Sequence, residues 1–404
     1  MSMLGSSSLS SMPRNAGSWM NRIKVVDFLY YAYLFVVVLL STIGMSSGNA
    51  MYVLFVLTGS IFVITRILSN EYDPKYLLVV VASVSLGVLA YLVSHRFTLL
   101  LTALLLVGAK GLEVRTLIGV FLSAKIAGLV LVVLFVASGV FEVELYQYYK
   151  MAVDGYLTRI RINGSSLNVM HLSFLAIIFL SFYLLRGRFN VLHYALFLTA
   201  NSIIETLTNS YIGLFLGTGG LALCLLCQYS SSFRKRFVKW STAIIPLLIA
   251  LSFGTAFLYG GTLIDTLDRL FQGRIYYNHF LLTNYPPTLF GRGVLGIEAN
   301  YDNSFVFIFV AYGILVFLLL FGLMQKLVAQ LKQENDWTAL VIVVIYLIAA
   351  LSESFYPAAA VNPSLFFLVA MLGCSLPRGA RRCGVISRDR YFQNNEHAKE
   401  GPKR

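Results

Sequence analysis

Long runs of apolar residues, separated by short polar segments, extend along nearly the whole chain. A helix needs about 20 mostly apolar residues to cross a bilayer, and a backbone inside lipid must form helices or a closed barrel. These runs are too long and too uniformly apolar to be barrel strands. We therefore predict an all-α, polytopic integral membrane protein. About twelve transmembrane helices are expected, near residues 25–45, 49–68, 76–94, 97–109, 115–138, 166–185, 190–208, 211–229, 241–260, 303–325, 338–353 and 363–376.

The polar segments predict one membrane domain, residues 25–376, between two tails. Residues 1–24 begin with a Ser-rich stretch and are predicted to be a disordered cytoplasmic N-terminus. Residues 377–404 are predicted to be a basic cytoplasmic tail. The first apolar run is too long for a signal peptide and lacks a cleavage site after it, so we expect it to remain as an anchor.

Composition supports the membrane class, and charge placement predicts the orientation. The chain is 58% hydrophobic, only 12% charged, and has a mean hydropathy of +0.77. Lys and Arg concentrate in the segments that are cytoplasmic if the N-terminus is inside, so both termini are predicted to be cytoplasmic. With that orientation, the two longest polar connections, residues 140–165 and 260–302, lie on the outer face of a cell membrane. The net charge of +13 is therefore a topology signal, and no soluble basic domain is present to bind nucleic acid.

No cofactor or metal is expected from the sequence. The four cysteines lie outside the outer segments, and the C-x-x-C pair Cys224 and Cys227 falls in an apolar run, where thiols are core residues. Asp, Glu and His show no cluster with the spacing of metal ligands. The chain also has no Gly-rich loop for nucleotide phosphates. Energy for any chemistry must therefore arrive with the substrate.

The segment 260–302 carries the candidate chemistry. Arginine binds phosphate oxygens with two parallel hydrogen bonds and stays charged. Asp265 lies four residues before Arg269, which predicts a helical ion pair. Arg274 has no carboxylate at a helix-neighbour position, so it is the better phosphate ligand. If both arginines share one short helix, their spacing puts them on different faces.

Other polar residues have two interpretations each. Asp302 directly precedes a predicted helix, where a carboxylate can cap backbone N–H groups instead of acting as a base. Tyr276 can anchor the chain at the headgroup level or stack on a sugar. His171, six residues into a predicted span, can be a packed hydrogen-bonding residue or can contact a sugar. Lys125 and Glu205 are ionisable residues within predicted spans.

The stretch 267–320 resembles the O-antigen and capsular polysaccharide polymerase family, which is related to the O-antigen ligases. The matching residues are Gly273-Arg274, Pro286-Pro287, Gly291-Arg292-Gly293, Asp302-Asn303-Ser304-Phe305 and Tyr312-Gly313. Glu353 resembles a late glutamate of that family. The segment from Arg161 through Gly164 to His171 resembles an element that precedes a span.

The resemblance implies a glycosyltransferase that works on the outer face without metal or cofactor. It implies that lipid-diphosphate-linked repeat units are joined into a capsular, exopolysaccharide or O-antigen chain. Asp302, where the ligases place a histidine, is the implied base, and Arg274 stabilises the departing diphosphate. The implied substrate-binding residues are Arg161, Arg269, Arg292, Asn303, Tyr276, His171 and Glu353. The expected partners are a polyprenyl-diphosphate-linked oligosaccharide and membrane lipids, with a chain-length regulator and a flippase as further candidates.

Two alternatives remain open. An O-antigen ligase-like glycosyltransferase would share the scaffold, although Asp302 in place of histidine argues against it. A secondary transporter or flippase of lipid-linked oligosaccharide would also have many spans and buried charge. Against a transporter, the charges cluster in one outer segment.

Overall fold

The computed structural model describes residues 25–45, 50–69, 74–150, 155–162, 165–208, 210–271, 273–293 and 302–373. Seven helices in these ranges are long and apolar enough to cross a membrane. The prediction of a mainly helical, membrane-type protein is thereby confirmed. The predictions for the tails, residues 1–24 and 377–404, lie outside the described residues.

Ten helices precede the long polar segment in the described ranges. Their bounds are α1 Val25–Thr42, α2 Ala50–Ser69, α3 Pro74–Ser94, α4 Thr98–Gly108, α5 Val114–Ala137, α6 Leu167–Leu185, α7 Val191–Thr208, α8 Tyr211–Tyr229, α9 Ser231–Trp240 and α10 Ile244–Phe257. A 3-10 turn, Ser241–Ala243, joins α9 to α10. The continuous helical segment that these elements form begins at Ser231, well before the predicted start of this span at 241.

The remaining helices include two in the long polar segment. They are α11 Thr262–Leu270, α12 Arg274–Asn284, α13 Ser304–Phe307, α14 Gly313–Glu334, α15 Trp337–Ala349 and α16 Phe367–Gly373. A π-helical turn, Ile308–Tyr312, connects α13 to α14. Helix α14 extends beyond the predicted end at 325, and α15 ends before the predicted end at 353.

The segment 140–165 differs from the all-α prediction because it contains a small antiparallel sheet. Strands β1 Val143–Lys150 and β2 Gly155–Ile162 pair from Val143 opposite Ile162 to Lys150 opposite Gly155. A short third strand, β3 Ser165–Ser166, pairs with the end of β2. β-Branched and aromatic residues favour strands, and the tyrosines and isoleucines of this segment supply them.

Side-chain contacts define two ends of the bundle. The basic end, which we define by Asp27, Arg66 and Asp336, collects the starts of α1 and α15 and the ends of α2, α4 and α14. The opposite end, which we call the site end, is defined by Arg274, Asp302 and Glu353 and collects the starts of α12 and α13 and the segment after α15.

Glycines on α8 allow polar side chains to enter the packed interior. A Cβ atom at Gly213 would lie 2.3 Å from the His171 ring, and one at Gly217 would lie 2.4 Å from the Asn201 amide. The His171 ring is fully buried, with Nδ1 3.1 Å from Thr208 Oγ1 and Nε2 3.0 Å from Asn201 Oδ1. Small residues thus let α6 and α7 bring a hydrogen-bonded polar pair against α8.

Candidate functional site

Arg274 is the first residue of α12, and the turn before it is tightly specified. Gly273 has φ = 83°, a left-handed conformation that glycine adopts without penalty. Asp268 Oδ1 accepts hydrogen bonds from the backbone N–H groups of Ile275, at 2.7 Å, and Tyr276, at 3.2 Å. A carboxylate thus caps the start of α12 and fixes the direction of the backbone that carries Arg274.

The described part of the polar segment therefore contains two helices, and the single short helix considered for it was wrong. The break at Gly273 puts Arg269 near the end of α11 and Arg274 at the start of α12. Arg269 is exposed, and the structure gives it no ion pair with Asp265. Only Arg274 of the two lies in the buried polar cluster.

The Arg274 side chain is only 8% exposed, and its guanidinium has four acceptors around it. Its Nε lies 3.1 Å from the Ser352 carbonyl and 3.4 Å from Asp302 Oδ2. Nη2 lies 3.8 Å from Glu353 Oε1, and Nη1 lies 3.5 Å from the Phe271 carbonyl. Arg274 thus holds two carboxylates from distant parts of the chain at one point.

The helix cap after Asp302 is supplied by Asn303. Asn303 Oδ1 accepts hydrogen bonds from the N–H groups of Phe305 and Val306, and Nδ2 donates to Ser252 Oγ at 3.1 Å. The amide of Asn303 is therefore used within the fold. Asp302 is relieved of capping, and its side chain is 30% exposed, which leaves the carboxylate accessible beside Arg274.

Ser304 fastens the two carboxylate-bearing segments together, and sequence reasoning missed it. Its N–H donates to the Ala350 carbonyl at 2.8 Å, and its hydroxyl donates to the Glu353 carbonyl. The same hydroxyl accepts the N–H of Tyr356 at 3.1 Å. The fully buried Ser304 thus fixes the spacing of Asp302 and Glu353. A serine beside a cap residue carries no sequence signal for this long-range contact.

Two further arginines lie next to the π-helical turn. The backbone N–H of Arg292 lies 3.3 Å from the Ala311 carbonyl, and its Nε is buried without a hydrogen-bond partner among the described residues. The Arg96 guanidinium lies 5.1 Å from the centre of the Phe307 ring. Arg96 was not a predicted site residue, although it is a basic residue in the short connection between α3 and α4.

Aromatic rings cover the same helix that begins with Arg274. The Tyr259 ring centre is 5.6 Å from that of Tyr276 and 5.1 Å from that of His279. His279 Nδ1 lies 2.9 Å from the Ala256 carbonyl, so this nitrogen carries the proton. Burial raises the pKa of the Tyr259 hydroxyl, and the nearby carboxylates of Asp268 and Asp265 raise it further. These rings form one aromatic cluster beside the start of α12.

Two of the predicted site residues are not among the contacts of Arg274 that the structure describes. His171 bonds to Thr208 and Asn201, and neither ring nitrogen contacts Arg274, Asp302 or Glu353. Arg161 has its Cα opposite those of Glu144 and Ser166 in the sheet, and its side chain lies outside the described residues.

The cluster offers acid–base chemistry and anion contacts. It holds one accessible carboxylate, a second carboxylate and a buried guanidinium. Arg292, beside the π-helical turn, has an Nε without a hydrogen-bond partner in the described ranges. No group of three metal-ligating side chains occurs among the residues that the structure describes. Comparison with family models, with curated proteins and with solved structures yields no match.

Proposed function

We propose that the protein is an outer-face polymerase that joins lipid-diphosphate-linked oligosaccharide repeat units into a surface polysaccharide. The observation that carries this proposal is the meeting of Arg274, Asp302 and Glu353, with Asp302 free of capping and partly exposed. In this proposal the chain crosses the cell membrane twelve times, both termini are cytoplasmic, and the site end faces outside.

Asp302 is the proposed base. A sugar hydroxyl of the incoming unit gives its proton to the Asp302 carboxylate, and its oxygen attacks the anomeric carbon of the growing chain. The bond between that carbon and the diphosphate oxygen breaks, and the electron pair leaves with the lipid diphosphate. Each cycle forms one glycosidic bond and releases one lipid diphosphate, so no nucleotide is needed.

Arg274 holds the base and shares its charge with the leaving group. Its contacts to Asp302 and Glu353, at 3.4 and 3.8 Å, are longer than the 2.7–2.9 Å of a tight charged hydrogen bond. A phosphate oxygen can therefore take a guanidinium N–H without breaking a strong pair. Charge that develops on the diphosphate is then stabilised by a cation already in place.

In this proposal some of the remaining predicted binding residues contact the substrate directly, and others support the site from within the fold. Arg292 contributes a second cation to the diphosphate, and Tyr276 stacks on a sugar ring. Glu353 balances the charge of Arg274. Arg269, which is exposed on α11, and Arg161 contact the substrate from the edges of the site. Asn303 and His171 support it indirectly, because their polar groups bond within the fold.

The test is polymerisation by the purified protein. The protein is reconstituted in vesicles and given a polyprenyl-diphosphate-linked repeat unit with neither nucleotide nor metal. We expect a ladder of products that differ by one repeat, and no ladder from Asp302→Asn. Absence of any product from a folded protein, with the correct repeat unit of its host, would remove the proposal.

An alternative function, transport of lipid-linked oligosaccharide, is favoured by one observation. Lys125 is fully buried in α5, with its Nζ 3.2 Å from Ser173 Oγ, and ionisable groups within spans often mark transport pathways. A null strain separates the two functions. Loss of a polymerase leaves single repeat units displayed outside, whereas loss of a flippase traps them inside.

A further inference from the structure

Helix α9 differs in composition from every span around it. Its ten residues, SSFRKRFVKW, include Arg234, Lys235, Arg236 and Lys239. The nearest carboxylates along the sequence are Glu205 and Asp265, so no acidic residue lies within α9 or in the segments that flank it. The apolar residues of the helix, Phe233, Phe237 and Val238, pack against the core. Helix α9 is therefore amphipathic, with one face on the protein and a cationic surface remaining.

The cations of α9 are not neutralised within the fold. None of the four forms an ion pair with a carboxylate in the described part of the chain. Arg234 lies 5.6 Å from the Trp337 ring centre, and Lys239 lies 5.8 Å from that of Trp240. Lys235 and Arg236 are exposed. Their charges are available to an external anion.

The position of α9 points to a bilayer. The 3-10 turn after Trp240 leads directly into the apolar α10, so α9 lies where a membrane span begins. Trp240 is 64% exposed at that junction, and tryptophan prefers the headgroup level of a membrane. Lys332, at the end of α14, donates a hydrogen bond to the Lys239 carbonyl at 2.9 Å, which ties α9 to the basic end.

We propose that α9 is a binding site for the phosphate groups of anionic phospholipids in the leaflet at the basic end. Lys235 and Arg236 are the main ligands, Arg234 and Lys239 add positive potential, and Trp240 inserts beside the glycerol region. The proposal is independent of the reaction at the site end. It rests on four cations that form no ion pair in the described part of the chain and that lie where a polar helix becomes a membrane span.

The experiment is a titration of the detergent-solubilised full chain with phosphatidylglycerol and, separately, with phosphatidylcholine, followed by native mass spectrometry. We expect preferential binding of phosphatidylglycerol. The double variant Lys235→Gln/Arg236→Gln should lower that affinity about tenfold or more, since each basic residue near an anionic surface contributes several-fold. Both side chains are exposed, so the fold should be retained.

The matched control removes two other exposed cations near the basic end, Arg188→Gln and Lys326→Gln. We expect a change of less than about threefold in the affinity for phosphatidylglycerol, because these residues lie outside α9. The charge-conserving variant Lys235→Arg/Arg236→Lys should bind as the original does. Equal losses in both double variants, or unchanged binding after the α9 substitutions, would overturn the proposal, as would equal affinity for the two lipids.

Discussion

Two buried arginines, one at each end of the bundle, are almost equally shielded from solvent but have different surroundings. The Arg66 side chain is 6% exposed and that of Arg274 is 8% exposed. Arg66 donates to the Gly108 and Lys110 carbonyls at 2.6 and 2.8 Å and forms a close ion pair with Asp27. Arg274 instead holds two carboxylates, at longer distances.

The difference separates a structural arginine from a candidate functional one. Arg66 satisfies the carbonyls at the end of α4, where a cation also favours the helix dipole. One carboxylate balances its charge. Arg274 contacts two carboxylates, one more than its charge requires, and one of them, Asp302, is partly exposed. Burial of an arginine therefore does not by itself mark a site, and the features that distinguish Arg274 are a second carboxylate and longer contacts.

Removal of Arg66 should mainly lower the stability of the protein, whereas removal of Arg274 should mainly lower its activity. We expect Arg66→Met to lower the free energy of unfolding by about 3–5 kcal/mol, because a partly buried carboxylate and two carbonyls lose their partner. Arg274→Met should cost less, about 1–2 kcal/mol, since its contacts to Asp302 and Glu353, at 3.4 and 3.8 Å, are longer and weaker than the hydrogen bonds of Arg66. Thermal unfolding in detergent measures both.

The polymer ladder gives the second half of this comparison. Arg274→Met should abolish the ladder in a folded protein, and membranes that contain residual folded Arg66→Met should still produce it. A normal ladder from Arg274→Met would reverse the assignment of the two arginines.

The carboxylates allow the same comparison without loss of volume. Asp302→Asn should slow polymerisation by about 100-fold or more, because the amide cannot accept the hydroxyl proton. Asp27→Asn should weaken the Arg66 pair and lower the melting temperature, but the rate per folded molecule should stay unchanged. Rates are measured with the lipid-linked repeat unit in excess. Equal rates for Asp302→Asn and the original protein would show that Asp302 is not the base.

The sequence was sufficient to predict a mainly helical protein of membrane type because long apolar runs are a local signal. The number of spans and the orientation stay predictions. The sequence also placed Arg274, Asp302 and Glu353 on the same candidate site. It did not predict that Asn303 is the cap, since an Asp-Asn pair before a helix fits either register. Nor did it predict Ser304 and Asp268, whose hydrogen bonds join segments that only the tertiary fold brings together.

The strands of residues 143–162 were missed for a related reason. A hydropathy window averages over about 19 residues and hides a two-residue alternation. The tyrosines of this segment have a high strand propensity, which the search for apolar spans did not use. The cross-strand register, such as Glu144 opposite Arg161, requires the turn to be known.

Alanine substitutions at two glycine turns test whether the backbone is packed more tightly at the site end than at the basic end. Gly291 has φ = 84°, and a Cβ there would lie 2.3 Å from the Ala311 carbonyl oxygen. Gly111, near the basic end, has φ = 76° with open space around it. Gly111→Ala should cost about 1 kcal/mol from backbone strain alone, and Gly291→Ala about 1–3 kcal/mol more.

Melting temperatures of the two alanine variants provide the measurement. Gly291→Ala should also lower polymerisation, because the displaced turn carries Arg292 and packs against the π-helical turn before α14. Equal melting temperatures would mean that the close approach of Gly291 to Ala311 is not maintained in solution.

Helix caps provide the smallest effect, and they separate stability from activity most finely. Asn303 caps α13 at the site end and Asp336 caps α15 at the basic end. Loss of either cap by substitution with alanine should cost about 1 kcal/mol, somewhat more for Asp336 because it also lies 3.5 Å from Arg186.

Similar losses of stability should nevertheless produce different activities. Asn303→Ala frees the backbone that positions Asp302, so the polymerisation rate should fall several-fold, whereas Asp336→Ala should leave it unchanged. If both variants lose activity in proportion to their stability, the geometry around Asp302 has no special role, and the contrast between the two ends would rest on the arginines alone.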